Sequence, residues 1–278
     1  IVETPQPLAL AGTTVNERLW SGGSSAPALR LDGFSWIEVA PQPTLEPGRA
    51  LTLEATIELA AFNAGTMPIF YKGANSGSFG NQRSYALFVN NEGRLILSTS
   101  DGAEQALYSA RDLIRIGVRT RVAATIDRDA GVMKLFVDGQ EVAAGALRSN
   151  NTLSFPTQPL LIGKTHEPSN NFGSFAGTLD NLRLWQRALA ADELLANGMP
   201  AGNAPGLVLD LRLDEGSGTA LANHALVAAS ANLVDRLGSI SGVVSGVIAR
   251  PFERRVYAFD LTETTQVTFD ALSNPFRW

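Results

Sequence analysis

"GTLDNLRLWQRALAADELLANG", residues 177–198, changes character at its midpoint. Through Trp185 polar and apolar residues alternate as in a half-buried strand, whereas from Ala191 the pattern is that of a short helix. Asp192 and Glu193 fall in the first turn, where negative charge favours the helix dipole, and Asn197-Gly198 offers a left-handed stop. Plain alternation puts Asp180 in phase with Leu182 and Leu184, where a core residue belongs. An unpartnered inward carboxylate costs several kcal/mol, so Asp180 needs a hydrogen bond, an ion pair or a metal. Trp185 takes the opposite phase, which sends it outward or beneath the helix.

Around this segment strand signals dominate. "ALRLDGFSWIEV" (28–39), "LTLEATIEL" (51–59), "PIFYKG" (68–73), "YALFVN" (85–90) and "RLILSTS" (94–100) read as strands. "RVAATIDRD" (121–129), "VMKLFVDG" (132–139) and "GLVLDLRLD" (206–214) follow them. The joins "NNEG" (90–93), "RDAG" (128–131) and "DGQ" (138–140) carry Asn, Asp or Gly able to take positive φ, as hairpins require. Gaps this short dictate antiparallel pairing, because parallel crossovers need about a dozen residues. The expected fold is an all-β antiparallel sandwich with one short helix, at 191–196. Residues 1–250 are expected to form it. Residues 251–278, including the alternating "RVYAFDLTETTQVTFDAL" (255–272), read as a linker and the first strands of a following module, or as edge strands of the same sandwich.

Composition narrows the partners. A net charge of −5 without a long basic run argues against nucleic acid and anionic lipid. No apolar stretch approaches the ~20 residues that a membrane-inserted helix needs. The absence of cysteine removes disulfides, zinc–thiolate sites and thiol nucleophiles together, and fits a bacterial surface or secreted protein. The chain begins at Ile1 without a signal-peptide pattern, as expected of a processed or excised piece.

With these residues in place the chain resembles the laminin-G-like and pentraxin-like group, which are concanavalin A-like jelly rolls. "GTLDNLRLWQRALAADEL" is similar to that group's closing signature, and "GLVLDLRLDEGSGT" resembles the strand that accompanies it in bacterial multidomain proteins. The likeness spans roughly residues 28–219. It departs where Leu209–Leu211 replaces an aromatic, and where Ala190 stands in place of a capping Ser, weakening the helix by about 1 kcal/mol. The resemblance implies that Trp185 seats the following turn. It also implies a structural Ca²⁺ near Asp180, with Asp32 and Asp214 as further ligands, since calcium takes six to eight oxygens. The residues alone leave another reading open, in which Asp180 accepts backbone N–H groups and Asp32 pre-sets the turn at Gly33.

Two polar loops, "GANSGSFGNQR" (73–83) and "GKTHEPSNNFGSF" (163–175), are rim-loop candidates for a ligand or simple solvated connectors. The candidate ligand-binding residues are Tyr71, Asn75, Asn81, His166, Asn170 and Asn171, with Trp36 as either a stacking platform or packing. Catalysis finds little footing. Glu54 and Glu58 lack the middle acid of a glucanase strand, and no nucleophile elbow, zinc-binding helix or phosphate loop is present. The expected function is therefore a non-catalytic, calcium-stabilised adhesion module at the cell surface, recognising a glycan or a surface protein. The alternatives are a structural spacer between modules of one polypeptide and, with less support, a glycan-degrading enzyme.

Overall fold

Alternation along β4 (Ala50–Leu59) sorts Leu51, Leu53, Ala55, Ile57 and Leu59 to one side and Thr52, Glu54, Thr56 and Glu58 to the other. The apolar row faces a second sheet. The computed structural model describes residues 6–7, 28–62, 65–77, 79–167, 172–196, 198–226, 230–234 and 257–258. The chain divides into two compact units, residues 14–240 and residues 1–13 with 241–278. In the smaller unit β1 (Gln6–Pro7) pairs in parallel with β17 (Tyr257–Ala258), and the rest of the alternating 255–272 segment lies outside the described residues.

The larger unit is the expected antiparallel jelly-roll sandwich. Seven strands form one sheet: β2 (Leu29–Asp32), β4, β9 (Thr120–Asp127), β10 (Val132–Val137), β11 (Gln140–Ala146), β13 (Ala176–Trp185) and β14 (Leu207–Leu211). The other runs β15 (Ala220–Leu221), β16 (Ala231–Val234), β3 (Trp36–Val39), β12 (Leu160–Ile162), β5 (Thr66–Gly73), β6 (Arg83–Asn90), β7 (Leu95–Ser100), β8 (Glu104–Tyr108). The single run expected over 28–39 is two strands in different sheets. Asp32 Oδ1 accepts hydrogen bonds from Phe34 N (2.9 Å) and Ser35 N (2.8 Å), and Gly33 sits at φ 86°, so the chain turns from one sheet into the other. The "DGQ" hairpin places Asp138 (φ 50°) and Gly139 (φ 81°) in the left-handed region, as a two-residue turn between twisted strands requires. The short helix α1 (Ala191–Ala196) forms where expected; its stop at Asn197 lies outside the described residues. Ala190 supplies no side-chain cap, but Glu193 returns its carboxylate to Ala190 N at 2.9 Å, half of a capping box.

Two buried cations have opposite surroundings. Lys72, fully buried, donates to Phe155 O (3.0 Å) and Gln158 O (2.5 Å) and pairs with Glu46 at 2.7 Å. Its charge is matched, and the pair ties the 153–158 segment to the sandwich. Arg128, only 1% exposed, reaches Thr99 Oγ1 at 3.3 Å; among the described residues its Nε has no partner and it makes no ion pair. Burial, together with the neighbouring Arg49, pushes its pKa down. A buried charge without a counter-ion is destabilising. Arg128→Met, which keeps the volume and removes the charge, is expected to raise the melting temperature, by about 2–4 °C per kcal/mol recovered. A lower melting temperature by calorimetry would show that the guanidinium is needed where it lies.

Candidate functional site

The strand β13 is interrupted at the residue beside Asp180. Asp180 is opposite Thr56 and Arg183 opposite Glu54, so Asn181 and Leu182 together face one residue of β4, Ala55. Asn181 takes φ 50°, a conformation Asn tolerates better than most residues. This bulge reverses the alternation: Leu179 on one side of it and Leu182 and Leu184 on the other all enter the core. Asp180 therefore lies on the outer face, a correction to the inward position that uniform alternation predicts. There its carboxylate pairs with Arg119. β2 covers one edge of β13 over residues 176–179 and β14 covers it over 182–185, so the bulge falls at the gap between them.

Asp32 stands opposite Ala176, four residues from Asp180, which is roughly 13 Å along a strand. Asp214 is exposed beyond the end of β14. Among the described residues no three His, Cys, Asp or Glu side chains gather as a metal site. Asp180 is held by the Arg119 guanidinium, which a cation at this position would have to displace.

Across the bulge, Trp185 is buried against Leu189 and Leu194, seating α1 as expected, and its Nε1–H donates to Glu54 Oε1 at 2.6 Å. Arg183 Nε donates to the fully buried Asp210 at 3.0 Å. Burial raises the Glu54 pKa, against the attraction of Arg183 and the hydrogen bond from Trp185. Arg187 lies over the Trp185 ring at 5.1 Å and forks onto Glu193 at 2.9 and 2.7 Å. Glu54, Arg183, Trp185, Arg187, Leu189 and Glu193 border a cavity of about 220 Å³ that Met199 and Pro200 also line. The sequence reading considered Glu54 only as a catalytic acid and missed Arg183; charges at outward positions beside Trp185 were the available signal.

On the eight-stranded sheet a second outward surface crosses several strands. Glu38, Leu161, Tyr71, Ala86, Ser98 and Ala106 form one row of directly opposed residues. Arg83 lies along its small members, donating to Ser98 Oγ (3.0 Å), forking onto Glu167 (2.5 and 2.7 Å) and pairing with Glu104. Its guanidinium faces the rings of Phe88 and Phe172 at 5.1 and 5.4 Å. Burial opposes the charge, but Glu167 and Glu104 outweigh it and raise the Arg83 pKa. Trp36 flanks the surface, half-buried, with Lys164 Nζ 3.5 Å from its ring centre.

Of the residues expected to bind ligand, Tyr71 and His166 meet here edge to face, 6.1 Å apart. Tyr71 is fully buried and donates to Ala74 O at 3.1 Å, so it forms floor rather than rim. Asn81 accepts from Glu104 N at 3.0 Å, which joins its loop to the same surface, whereas Asn75 is exposed and apart from these contacts. Asn170 and Asn171 lie outside the described residues. His166 Nε2 is buried without a hydrogen-bond partner among the described residues. Burial and then Lys164 lower its pKa, with Glu38 acting in the opposite direction.

A jelly-roll sandwich bearing an outward surface of aromatics and fixed charges belongs among the lectin-like β-sandwiches. Residues 31–195, more than half of the chain, match the laminin-G family described as the concanavalin A-like lectin/glucanases superfamily, and the protein belongs to that superfamily. Its structure is similar to the CBM40 module of the Ruminococcus gnavus IT-sialidase, solved bound to α2,3-sialyllactose. The two are 17% identical with a TM-score of 0.51, covering 61% of this chain and 95% of that one. It is similar also to a Bacteroides ovatus protein assigned to carbohydrate binding, at 17% identity and TM-score 0.55, over 78% of this chain and 69% of that one. NanB sialidase of Streptococcus pneumoniae matches over 63% of this chain but only 28% of its own, with 14% identity and TM-score 0.50. At such identities the likeness is one of fold. No curated protein matches the sequence.

Two measurements probe these assignments. With Asp180 engaged by Arg119, EDTA is expected to leave the melting curve unmoved; a fall that Asp180→Ala abolishes would restore calcium to this position. His166 folds neutral, and its folded pKa lies below the unfolded value of about 6.5. Stability present above that pH is therefore lost as pH falls toward the folded pKa. The melting temperature should drop between about pH 7 and 5 more steeply in the wild type than in His166→Phe, which keeps the ring contact with Tyr71. Parallel curves would remove His166 as the titrating group.

Proposed function

We propose that the protein is a non-catalytic glycan-binding module, acting at an extracellular surface through the outer face of its eight-stranded sheet. The observation that carries this reading is the position of the partly exposed Trp36 and Phe172 over the buried Phe88, with Arg83, Glu167 and Glu104 alongside. The sandwich core does not require aromatics on its outward side. Rings beside pre-oriented donors and acceptors suit a sugar, whose C–H faces stack while its hydroxyls pair. Lys164 covers the Trp36 ring through a contact worth about 0.5–1 kcal/mol at an accessible site, a small cost for a ligand to displace. The two fold neighbours described as carbohydrate-binding support the reading. A binding role also accords with Glu54 and Glu58, four residues apart along β4. That is roughly 13 Å, beyond the ~5–10 Å that paired glycosidic carboxylates span.

A glycan array probed with the wild type and Trp36→Ala tests this. Binding to a defined glycan, weakened about ten-fold or more in Trp36→Ala at unchanged melting temperature, is expected from the loss of one stacking ring. Silence of the folded wild type across a broad array, with or without calcium, would leave the spacer role instead.

A further inference from the structure

We propose that the cavity between β13 and α1 binds a small zwitterion, an α-amino acid with an apolar side chain. The observation behind this is a pair of opposite charges held apart. Glu54 and Arg183 are directly opposed on adjacent strands, yet they form no ion pair. Arg183 is drawn toward Asp210 through Nε, and Glu54 toward the Trp185 indole N–H through Oε1. Arg183 Nη2 has, among the described residues, only Asn181 Oδ1 at 3.5 Å and the Met199 sulfur at 3.3 Å. Among the described residues, Arg183 Nη1 and Glu54 Oε2 make no hydrogen bond, and both residues line the cavity. The neighbouring charges are engaged elsewhere: Asp210 also takes Arg212 Nε, Arg187 and Glu193 engage each other, and Arg121, the other cation near Glu54, donates to Leu194 O.

What remains is one donor of positive charge and one acceptor of negative charge beside an apolar wall of Leu189, Met199 and Pro200. A neutral ring placed there would desolvate both charges and neutralise neither. An anion alone would satisfy Arg183 and repel Glu54, and an amine alone would do the reverse. An amino acid brings its carboxylate to Arg183, its ammonium to Glu54 and its side chain to the apolar wall. The volume of about 220 Å³ is enough for a molecule of leucine's size. This site lies on the opposite sheet from the glycan surface, and it does not depend on that reading.

Isothermal titration of the full chain with L-leucine is the test. The comparison ligands are 4-methylpentanoate, which lacks the amine, 3-methylbutylamine, which lacks the carboxylate, and galactose. Leucine is expected to bind at least about ten-fold more tightly than either singly charged analogue, as the loss of one charged hydrogen bond implies. Glu54→Gln should reduce leucine binding about ten-fold while strengthening 4-methylpentanoate, whose carboxylate Glu54 repels. A Cβ on Gly198, at the cavity wall, would meet no atom within 4 Å, so Gly198→Phe can obstruct the mouth in a folded protein and should abolish binding. The proposal is overturned if leucine gives no heat to about 10 mM. It is equally overturned if leucine binds no better than its analogues, if galactose binds in its place, or if Gly198→Phe leaves binding intact. Trp36→Ala should not affect leucine binding, which separates this outcome from failure of the glycan reading.

Discussion

Asn181, in the left-handed region, inserts an extra residue into the strand that holds the seven-stranded sheet together. On one edge β13 pairs with β4, and on the other with β2 and then β14, so a change of phase within it propagates to three neighbours. Without the bulge, the alternation that buries Leu182 and Leu184 would bury Asp180 and expel Leu179. With it, all three leucines reach the core, Asp180 meets Arg119 outside, and Arg183 and Trp185 emerge together beneath α1. Gly177, earlier in the same strand, runs so close to β4 that a Cβ would stand 2.1 Å from Glu58 O. The strand is thus fitted to its neighbours by backbone geometry at two points.

The outer faces of the sandwich show how a fold that is apolar between its sheets can carry chemistry outside them. On one face α1 covers Trp185, which with Asp210 holds Glu54 and Arg183 in place beside the cavity. On the other, Arg83 is fixed by two carboxylates and two rings. Both arrangements draw on strands distant in sequence. Arg83 and Glu167 are 84 residues apart, and Trp185 and Glu54 are 131. Lys72 and Arg128 mark the limits of the same rule: three partners hold the first, and among the described residues the second has no counter-charge.

The fold was largely legible in the chain because strand alternation and turn chemistry are local. Long runs such as 51–59 and 121–127, the Asp138-Gly139 turn and the helix at 191–196 appear where the pattern puts them. The split of 28–39 into strands of different sheets was signalled only by Asp32-Gly33, which also suits a turn within one sheet. The weak β8, β12 and β16 carry too few alternating residues to stand out, and they form because longer strands offer them an edge.

By itself, then, the sequence determined an antiparallel sandwich closed by a strand and a short helix, since period-two hydrophobicity and positive-φ turn residues leave little else. Only the tertiary structure decided which way the charges face. One left-handed asparagine reverses the phase of β13, and the partners of Asp180, Arg183 and Arg83 come from strands that only the assembled sheets bring alongside. Side-chain direction in a sheet depends on register, and register is set by pairing between strands rather than by any one of them.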